Sequence, residues 1–421
     1  MEQKLWTKDF TLVVIGQIIS LFGNAAVRFV LPLYLLNQTG SSALYGTVTA
    51  CAFLPAILLS PVGGIVADRV NKRNIMVILD FFTAGVIAAF SLLMGGINLV
   101  VMITATLMLL YGIAGAYQPS VQASIPALVS RKNIMAANSV VNIVNSFSSL
   151  LGPVLGGVLY SACGLKPVLL MCIVCFFLSA VMELFIRIPF TKQKFAGSMW
   201  KTVKEDFMES IRFIRREEPA IGKALLAVCG INLFLSAMLV VGVPYIVTEV
   251  LPFEPDLAKR LCGYAEGALA AGGLAGGIGS GVFSGRLKIG KAGNLIMGCA
   301  VWVFPMAAAL MLFSSGMVNY MVMAVCCFFI MVCSTIFTVQ MLSFVQSRTP
   351  GNLIGKVIAV MLTASMCAQP LGNAMYGFLF EICGGYEFAV VLFAGAVSLV
   401  IAVGARSVFG RFGPQKLSEN G

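Results

Sequence analysis

The sequence predicts an all-α polytopic membrane protein: twelve transmembrane helices in two pseudo-symmetric six-helix bundles. Three observations carry that prediction. First, the 421 residues are 59% hydrophobic and 11% charged, with a mean hydropathy of +0.96, against about 25% charged residues in an average soluble domain. Second, twelve apolar runs recur along the chain, each near the roughly 20 residues that cross a bilayer as a helix. Helices are required because irregular backbone or open strand edges would leave polar groups unsatisfied in lipid. Third, the bases gather on one side. With the N-terminus inside, every Lys and Arg except Arg28, Lys166, Lys259 and Arg260 falls on a cytoplasmic segment, the bias that places both termini in the cytoplasm.

This placement accounts for the net charge of +11 without nucleic acid, and the outer segments carry acids instead: Glu249, Glu254, Asp256, Glu381 and Glu387. The first apolar run is too long for the core of a signal peptide, so no cleaved leader is expected. The 12 Cys lie mostly inside spans, as do Cys172, Cys175, Cys326 and Cys327, where Cys acts as a small hydrophobe. With no His at all, a His-ligated metal site is excluded, and neither metal nor cofactor is expected.

Span 1 (12–36) carries Gln17, Ser20, Asn24 and Arg28 at spacings of three or four, which puts them on one helical face. A charge inside a span costs about 2.5–3.5 kcal/mol on insertion scales, so Arg28 marks function. Span 2 (43–67) runs into GGIVADRVNKR at 63–73, read as a short charged loop before span 3 (75–95). In it Gly64 permits a close helix approach, and Asp68 and Arg69 suit facing helix ends. Lys72 and Arg73 extend the charge, while Asn71 stands where a left-handed residue would reverse the chain. Asp80, about one turn into span 3, is expected to pair with Arg69 or Arg73 as a gating contact near the inner face.

Span 4 (98–122) presents Tyr111, Gly115, Gln118 and Gln122 on one face, and span 5 (136–160) presents Asn138, Asn142, Asn145 and Ser149. Three polar stripes are hard to place against lipid, and a shared water-accessible cavity is their simplest home. The alternative is helix–helix hydrogen bonding, worth about 0.6 kcal/mol per contact. Span 5 continues through Gly152-Pro153 to Gly156-Gly157. Span 6 (167–188) holds Glu183, expected to snorkel or to pair with Arg187 at i+4.

The longest polar segment, 189–222, separates an N-terminal bundle (1–188) from a C-terminal bundle and short tail (223–421). Within it Trp200, Val203, Phe207, Ile211 and Ile214 recur at helical spacing, with Lys201, Lys204 and Arg212 on other faces. That is an amphipathic helix for the inner lipid surface, tethering the halves. Span 7 (223–248) supplies Asn232 and Ser236. Span 8 (262–284) is rich in glycine, including Gly263, Gly267, Gly272, Gly276 and Gly281, a pattern for close helix contacts and, lacking strand and Lys-Ser/Thr context, not a phosphate cradle. Glu266, near the outer end of span 8, is the candidate protonation switch, with pairing to Arg28 as its structural alternative.

After span 8, GVFSGRLKIGK (281–291) aligns with 64–73: Gly281 matches Gly64, Arg286 matches Arg69, and Gly285 replaces Asp68. Spans 9 (294–313), 10 (318–343), 11 (355–380) and 12 (387–408) complete the second bundle. In span 11, Pro370 and Gly372 echo Pro153 and Gly156. Duplicated halves are a recurrent transporter plan, with one half rocking against the other. Gln340, Gln369 and Asn373 are the polar contributors to a cavity expected among spans 1, 4, 5, 7, 8, 10 and 11.

The pattern Gly64-x-x-x-Asp68-Arg69-x-x-Lys72-Arg73 resembles the signature of the major facilitator superfamily, and the likeness spans about 8–408, with Asn71 at the usual loop glycine. Gly152-Pro153-x-x-Gly156-Gly157 is similar to the end of the motif associated with antiporters, although Ser148 and Ser139 stand at its upstream glycines. FVLPLYLLNQTGS (29–41), IPALV (125–129), AAN (136–138) and the helix before span 7 look like the drug-exporter branch related to macrolide efflux proteins. The resemblance implies export of hydrophobic or amphiphilic compounds by proton antiport with alternating access. The span-4 Arg that the superfamily ties to proton coupling has no counterpart, since 105–118 contain no base; proton exchange is implied by the branch alone.

No nucleotide-binding motif, paired acids or nucleophile–base set is visible, so the chain reads as a secondary transporter and not an enzyme. Its expected partners are a small-molecule substrate, the bilayer of the cell membrane and protons, and a monomer is expected. The 22 Met and 30 Phe suit adaptable apolar contacts. Two alternatives remain: a metabolite or siderophore carrier whose Arg28 attracts an anionic group, and a non-transporting membrane sensor, which would need an appended cytoplasmic domain.

Overall fold

The computed structural model describes residues 6–96, 98–130, 133–188, 199–282, 289–350 and 353–410. Among them there is no strand. The helices are α1 (Lys8–Thr39), α2 (Ser42–Arg69), α3 (Lys72–Leu93), α4 (Leu99–Leu128), α5 (Ile134–Cys163), α6 (Leu165–Leu184) and α7 (Met199–Arg216). They continue as α8 (Pro219–Val250), α9 (Pro255–Val282), α10 (Ala292–Leu312), α11 (Gly316–Arg348), α12 (Ile354–Ile382) and α13 (Glu387–Phe409). Eleven of these are long and apolar enough to cross a membrane. The twelfth span is α9, 28 residues long, whose glycines and Glu266 lower its hydropathy. The amphipathic α7 is the one helix outside this set.

Local chemistry sets the helix ends. Thr7 caps α1 by accepting from Phe10 N, and α1 stops at Gly40, whose φ of 62° is left-handed. Its N–H returns to Leu36 O at 2.7 Å, the usual exit where a side chain would be strained. The charged stretch at 63–73 is not the loop that the sequence suggests. The α2 helix continues through Arg69, and only Val70 and Asn71 separate it from α3. Asn71 has φ −59° and its side chain caps α3, accepting from Arg73 N at 3.1 Å. It is therefore an N-cap and not a left-handed reversal. The side chains of Gly64, Asp68 and Arg69, and residues 283–288 of the second copy, lie outside the described residues.

The chain divides into two compact units. Unit 1 comprises Met1–Ala196, Val247–Glu249 and Phe253–Gly267, and unit 2 comprises Gly197–Ile246, Val250–Pro252 and Ala268–Gly421. In unit 1, α1 packs on α4, α5 and α6. The α5 glycines explain how closely: a Cβ on Gly152 would collide with that of Ala25, and one on Gly156 would stand 3.3 Å from Val30 Cγ2. Gly157 faces the start of α9 instead, where a Cβ would meet Lys259 O at 3.0 Å, and one on Gly263 would meet Pro153 O at 2.8 Å. Without a hydrophobic drive between helices in lipid, such backbone contact is a main source of packing energy. Ser161 Oγ donates to Asp256 O at 2.7 Å and accepts from Arg260 Nε at 2.9 Å, tying the C-terminal end of α5 to the N-terminal end of α9.

In unit 2, α9 meets α11 through Gly272 and Gly276; a Cβ on Gly276 would stand 2.6 Å from Val332 O. The α8 helix contains two π turns, Asn232–Ser236 and Ile246–Val250. Gly372 of α12 lies directly against Leu233 O in the first of them. The α7 helix belongs to unit 2. Its Phe213 and Ile214 are buried while Phe207 and Met208 stay exposed, so only part of its apolar face is left for lipid. Glu209 pairs with Lys356 at 2.7 Å, a half-exposed contact worth little by itself.

Candidate functional site

The most polar interior in unit 1 lies where α1, α3, α4 and α6 meet. Gln17 of α1 is fully buried, and its Nε2 donates to Tyr117 Oη on α4 at 2.7 Å. Tyr117 passes its own proton to Glu183 Oε1 on α6 at 2.8 Å. Ser20, one turn beyond Gln17, donates to Asp80 Oδ1 on α3 at 3.0 Å. Ser179, one turn before Glu183, donates to Gly16 O at 3.0 Å. The hydrogen bonds thus join four helices, and Asp80 and Glu183 are both essentially inaccessible at 2% and 0% exposure.

Among the described residues neither acid forms an ion pair; the Arg69 side chain, one of the two expected partners of Asp80, lies outside them. Arg73 turns its guanidinium to backbone, donating from Nε to Glu183 O at 3.4 Å and from Nη2 to Leu184 O. A cation on the last carbonyls of α6 complements the negative end of that helix. Asp80 is therefore held by a serine and not by Arg73. Glu183 does not reach Arg187 either, because α6 ends at Leu184 and the next helical turn is missing. Arg187 N instead donates to Asp9 Oδ1 at 3.1 Å.

Arg28 sits farther along α1. Its Nη2 donates to Leu110 O at 2.7 Å, and its guanidinium lies 3.9 Å above the Tyr111 ring, a cation–π arrangement. Phe53 packs on the other partner of that ring pair, 4.9 Å from Tyr111. Nearby Asn24 Oδ1 is buried without a partner. Glu266 of α9 is half-buried and lies within electrostatic range of Tyr45 and Cys262. It forms no ion pair with Arg28, which is engaged by Leu110 and Tyr111.

The other stripe residues scatter. Gln118 is half-buried, and Gln122 and Asn142 are exposed. Asn145 donates back to Val141 O at 3.0 Å, and the Asn138 side chain lies outside the described residues. In unit 2, a cavity of about 270 Å³ opens between α8, α11 and α12. Asn232, Ser334, Thr338 and Ser365 supply its polar points, and Phe337, Met341 and Met361 its apolar wall. Asn232 Nδ2 reaches Ser365 O at 3.5 Å, so the π turn of α8 presents this side chain to α12. Gln340 and Asn373 are buried nearby in sequence on α11 and α12, each with unpartnered polar atoms. Gln369 is half-buried.

Sequence reasoning passed over Tyr117, Ser179, Ser334, Thr338 and Ser365. Small hydroxyls carry no signal in an apolar run, since each can bond its own helix. Tyr117 is different: it lies one residue from the polar stripe at Gln118, and two acids in separate spans near the inner face ask for a shared donor.

Comparison with known proteins gives a consistent picture. The family model described as Major Facilitator Superfamily matches residues 13–373. Macrolide efflux protein A of Streptococcus pyogenes is 20% identical over 403 residues, covering 94% of this chain and 95% of that protein. Multidrug efflux pump Tap of Mycobacterium bovis (strain BCG / Pasteur 1173P2) is 21% identical over 379 residues, covering 89% and 87%. Among solved structures, nucleoside transporter NupG superposes with a TM-score of 0.73 at 12% identity, covering 97% of this chain and 100% of that one. At that identity the likeness concerns the fold.

Proposed function

The chain belongs to the major facilitator superfamily and is a multi-pass membrane transporter, and from that premise we propose that it exports hydrophobic or amphiphilic, drug-like compounds by proton antiport. The observation that carries this reading is the cavity in unit 2. Its walls are methionine, phenylalanine and leucine, with a few neutral hydrogen-bonding groups and no charge. Such a lining favours apolar compounds with scattered polar atoms, and flexible Met side chains adapt to differing shapes. The relatives named as efflux proteins support the direction of transport. The distribution of bases supports cytoplasmic termini in the cell membrane, and the chain is proposed to act as a monomer.

Glu266 is the group assigned to proton coupling: an acid inside a span, half-buried and without a base, is a functional feature by default. The rival assignment, an anionic substrate held by Arg28, is disfavoured because that guanidinium is already engaged by Leu110 O and the Tyr111 ring. The test is efflux of a compound panel from cells or inverted vesicles, with and without a proton uncoupler. Uncoupler-sensitive export of lipophilic compounds is expected. Transport limited to anions, or indifferent to the proton gradient, would overturn the reading.

A further inference from the structure

Asp80 and Glu183 present a problem of charge. Both are buried, and neither takes part in an ion pair among the described residues. Isolated ionised carboxylates are not tolerated in such surroundings. Each acid has one oxygen supplied with a donor and one with none: Asp80 Oδ2 and Glu183 Oε2 are buried and unpartnered. The nearby hydroxyls are few and already used. The single proton of Ser20 goes to Asp80 Oδ1, that of Tyr117 to Glu183 Oε1, and that of Ser179, which also lies beside Asp80, to Gly16 O.

A third oxygen shares the condition. Gln17 is fully buried, its amide is fixed through Nε2 to Tyr117 Oη, and its Oε1 has no partner. Three oxygen acceptors, two of them on acids, therefore surround one tyrosine with nothing to accept from. Among the described residues, the elements around them bring no compensating charge. The α1 helix offers Gln17 and Ser20, α4 offers Tyr117, and α6 offers Ser179 beside Glu183. The α3 helix brings Arg73 in its first turn, but that guanidinium is held on the carbonyls of Glu183 and Leu184.

We propose that Asp80, Glu183 and Gln17, arranged around Tyr117, form a buried site for one small monovalent cation, a proton or Na⁺. Such an ion supplies at once the missing positive charge and the missing partner for the bare oxygens. The ligand set is entirely hard oxygen, which suits these ions and not soft metals. No group of three or more His, Cys, Asp or Glu assembles among the described residues, so a multivalent metal has no ligand set here. Cation binding at this place stands whether or not the chain exports drugs; only its use as a coupling ion rests on that reading.

The experiment uses the full chain purified in nanodiscs. Infrared carboxyl signals are followed through a pH titration in NaCl and in choline chloride at equal ionic strength, for wild type, Asp80→Asn, Glu183→Gln and, at an exposed acid, Glu254→Gln. A pH- or Na⁺-dependent carboxyl band is expected, losing one carboxyl's intensity in Asp80→Asn and in Glu183→Gln while Glu254→Gln leaves that band unchanged. A band that Na⁺ displaces and choline does not identifies Na⁺ as the ion; equal titrations in both salts identify the proton. Should Asp80→Asn fail to fold, Tyr117→Phe takes its place and is expected to shift the midpoint. Identical titrations in wild type and in every folded variant of this cluster, with no effect of Na⁺, overturn the proposal. Failure of the efflux reading would leave these spectra unchanged.

Discussion

Removing one oxygen atom, in Tyr117→Phe, tests whether the polar cluster of unit 1 is a structural hub. The ring and its packing are retained, so the loss reports the hydroxyl alone. Two hydrogen bonds vanish, at 2.7 Å from Gln17 and at 2.8 Å to Glu183. At the average membrane value of about 0.6 kcal/mol each, the loss would be roughly 1.2 kcal/mol. Burial changes that sum, because Gln17 Nε2 and Glu183 Oε1 are both left unsatisfied, and each such group costs about 1–3 kcal/mol. The expected loss is therefore about 2–6 kcal/mol, read by equilibrium unfolding in mixed micelles. Gln17→Leu supplies the control. With the amide gone, the double variant should cost less than the sum of the singles by about 1 kcal/mol, as for groups in direct contact. A Tyr117→Phe loss below about 1 kcal/mol, with additive singles, would refute the hub.

Four further outcomes are expected. Gly263→Ala should destabilise by about 1–3 kcal/mol in the same unfolding assay, since its Cβ would stand 2.8 Å from Pro153 O and backbone cannot yield as a side chain does; Gly277→Ala, with nothing within 4 Å, should be neutral or gain up to about 1 kcal/mol of helix propensity. Asn71→Ala should cost about 1 kcal/mol and Asn71→Gly a few tenths, as for an N-cap, whereas at a left-handed position Asn71→Gly would be neutral or stabilising. Glu266→Gln should abolish export driven by a pH gradient in vesicles while expression stays normal; undiminished export removes the coupling role. Asp68→Asn should slow transport without changing membrane insertion, measured as initial rate per inserted protein.

The spans were legible because hydropathy reports the apolar slab a helix must cross. It does not report the helix itself, which continues wherever its backbone bonds do. Hence α2 reaches Arg69 through residues that read as a loop, and α9 begins at Pro255, seven residues before its apolar run. Asp256, Lys259 and Arg260 ride on its first turns, ahead of the apolar run. The glycines of α5 and α9 were legible as small contact points because absence of a side chain is itself the signal. The hydroxyl partners of Asp80 and Glu183 were hidden for a tertiary reason. Local rules offered bases at i+4 or in the adjacent segment, but α6 ends before Arg187, and the hydroxyl partners come from α1 and α4, more than fifty residues away in sequence. The cavity at Asn232 was half legible: its amide was visible in span 7, but the π turn that presents it was not.

The two-residue joint at Val70–Asn71 has a mechanical consequence. A joint this short has no slack: its second residue is bonded into the first turn of α3, and Arg73, two residues on, grips the last carbonyls of α6. The joined ends of α2, α3 and α6 therefore form a train of linked levers, in which a tilt imposed on α2 is delivered to α6 rather than absorbed between them. The signature charges would then act less as a latch than as the handle of that train.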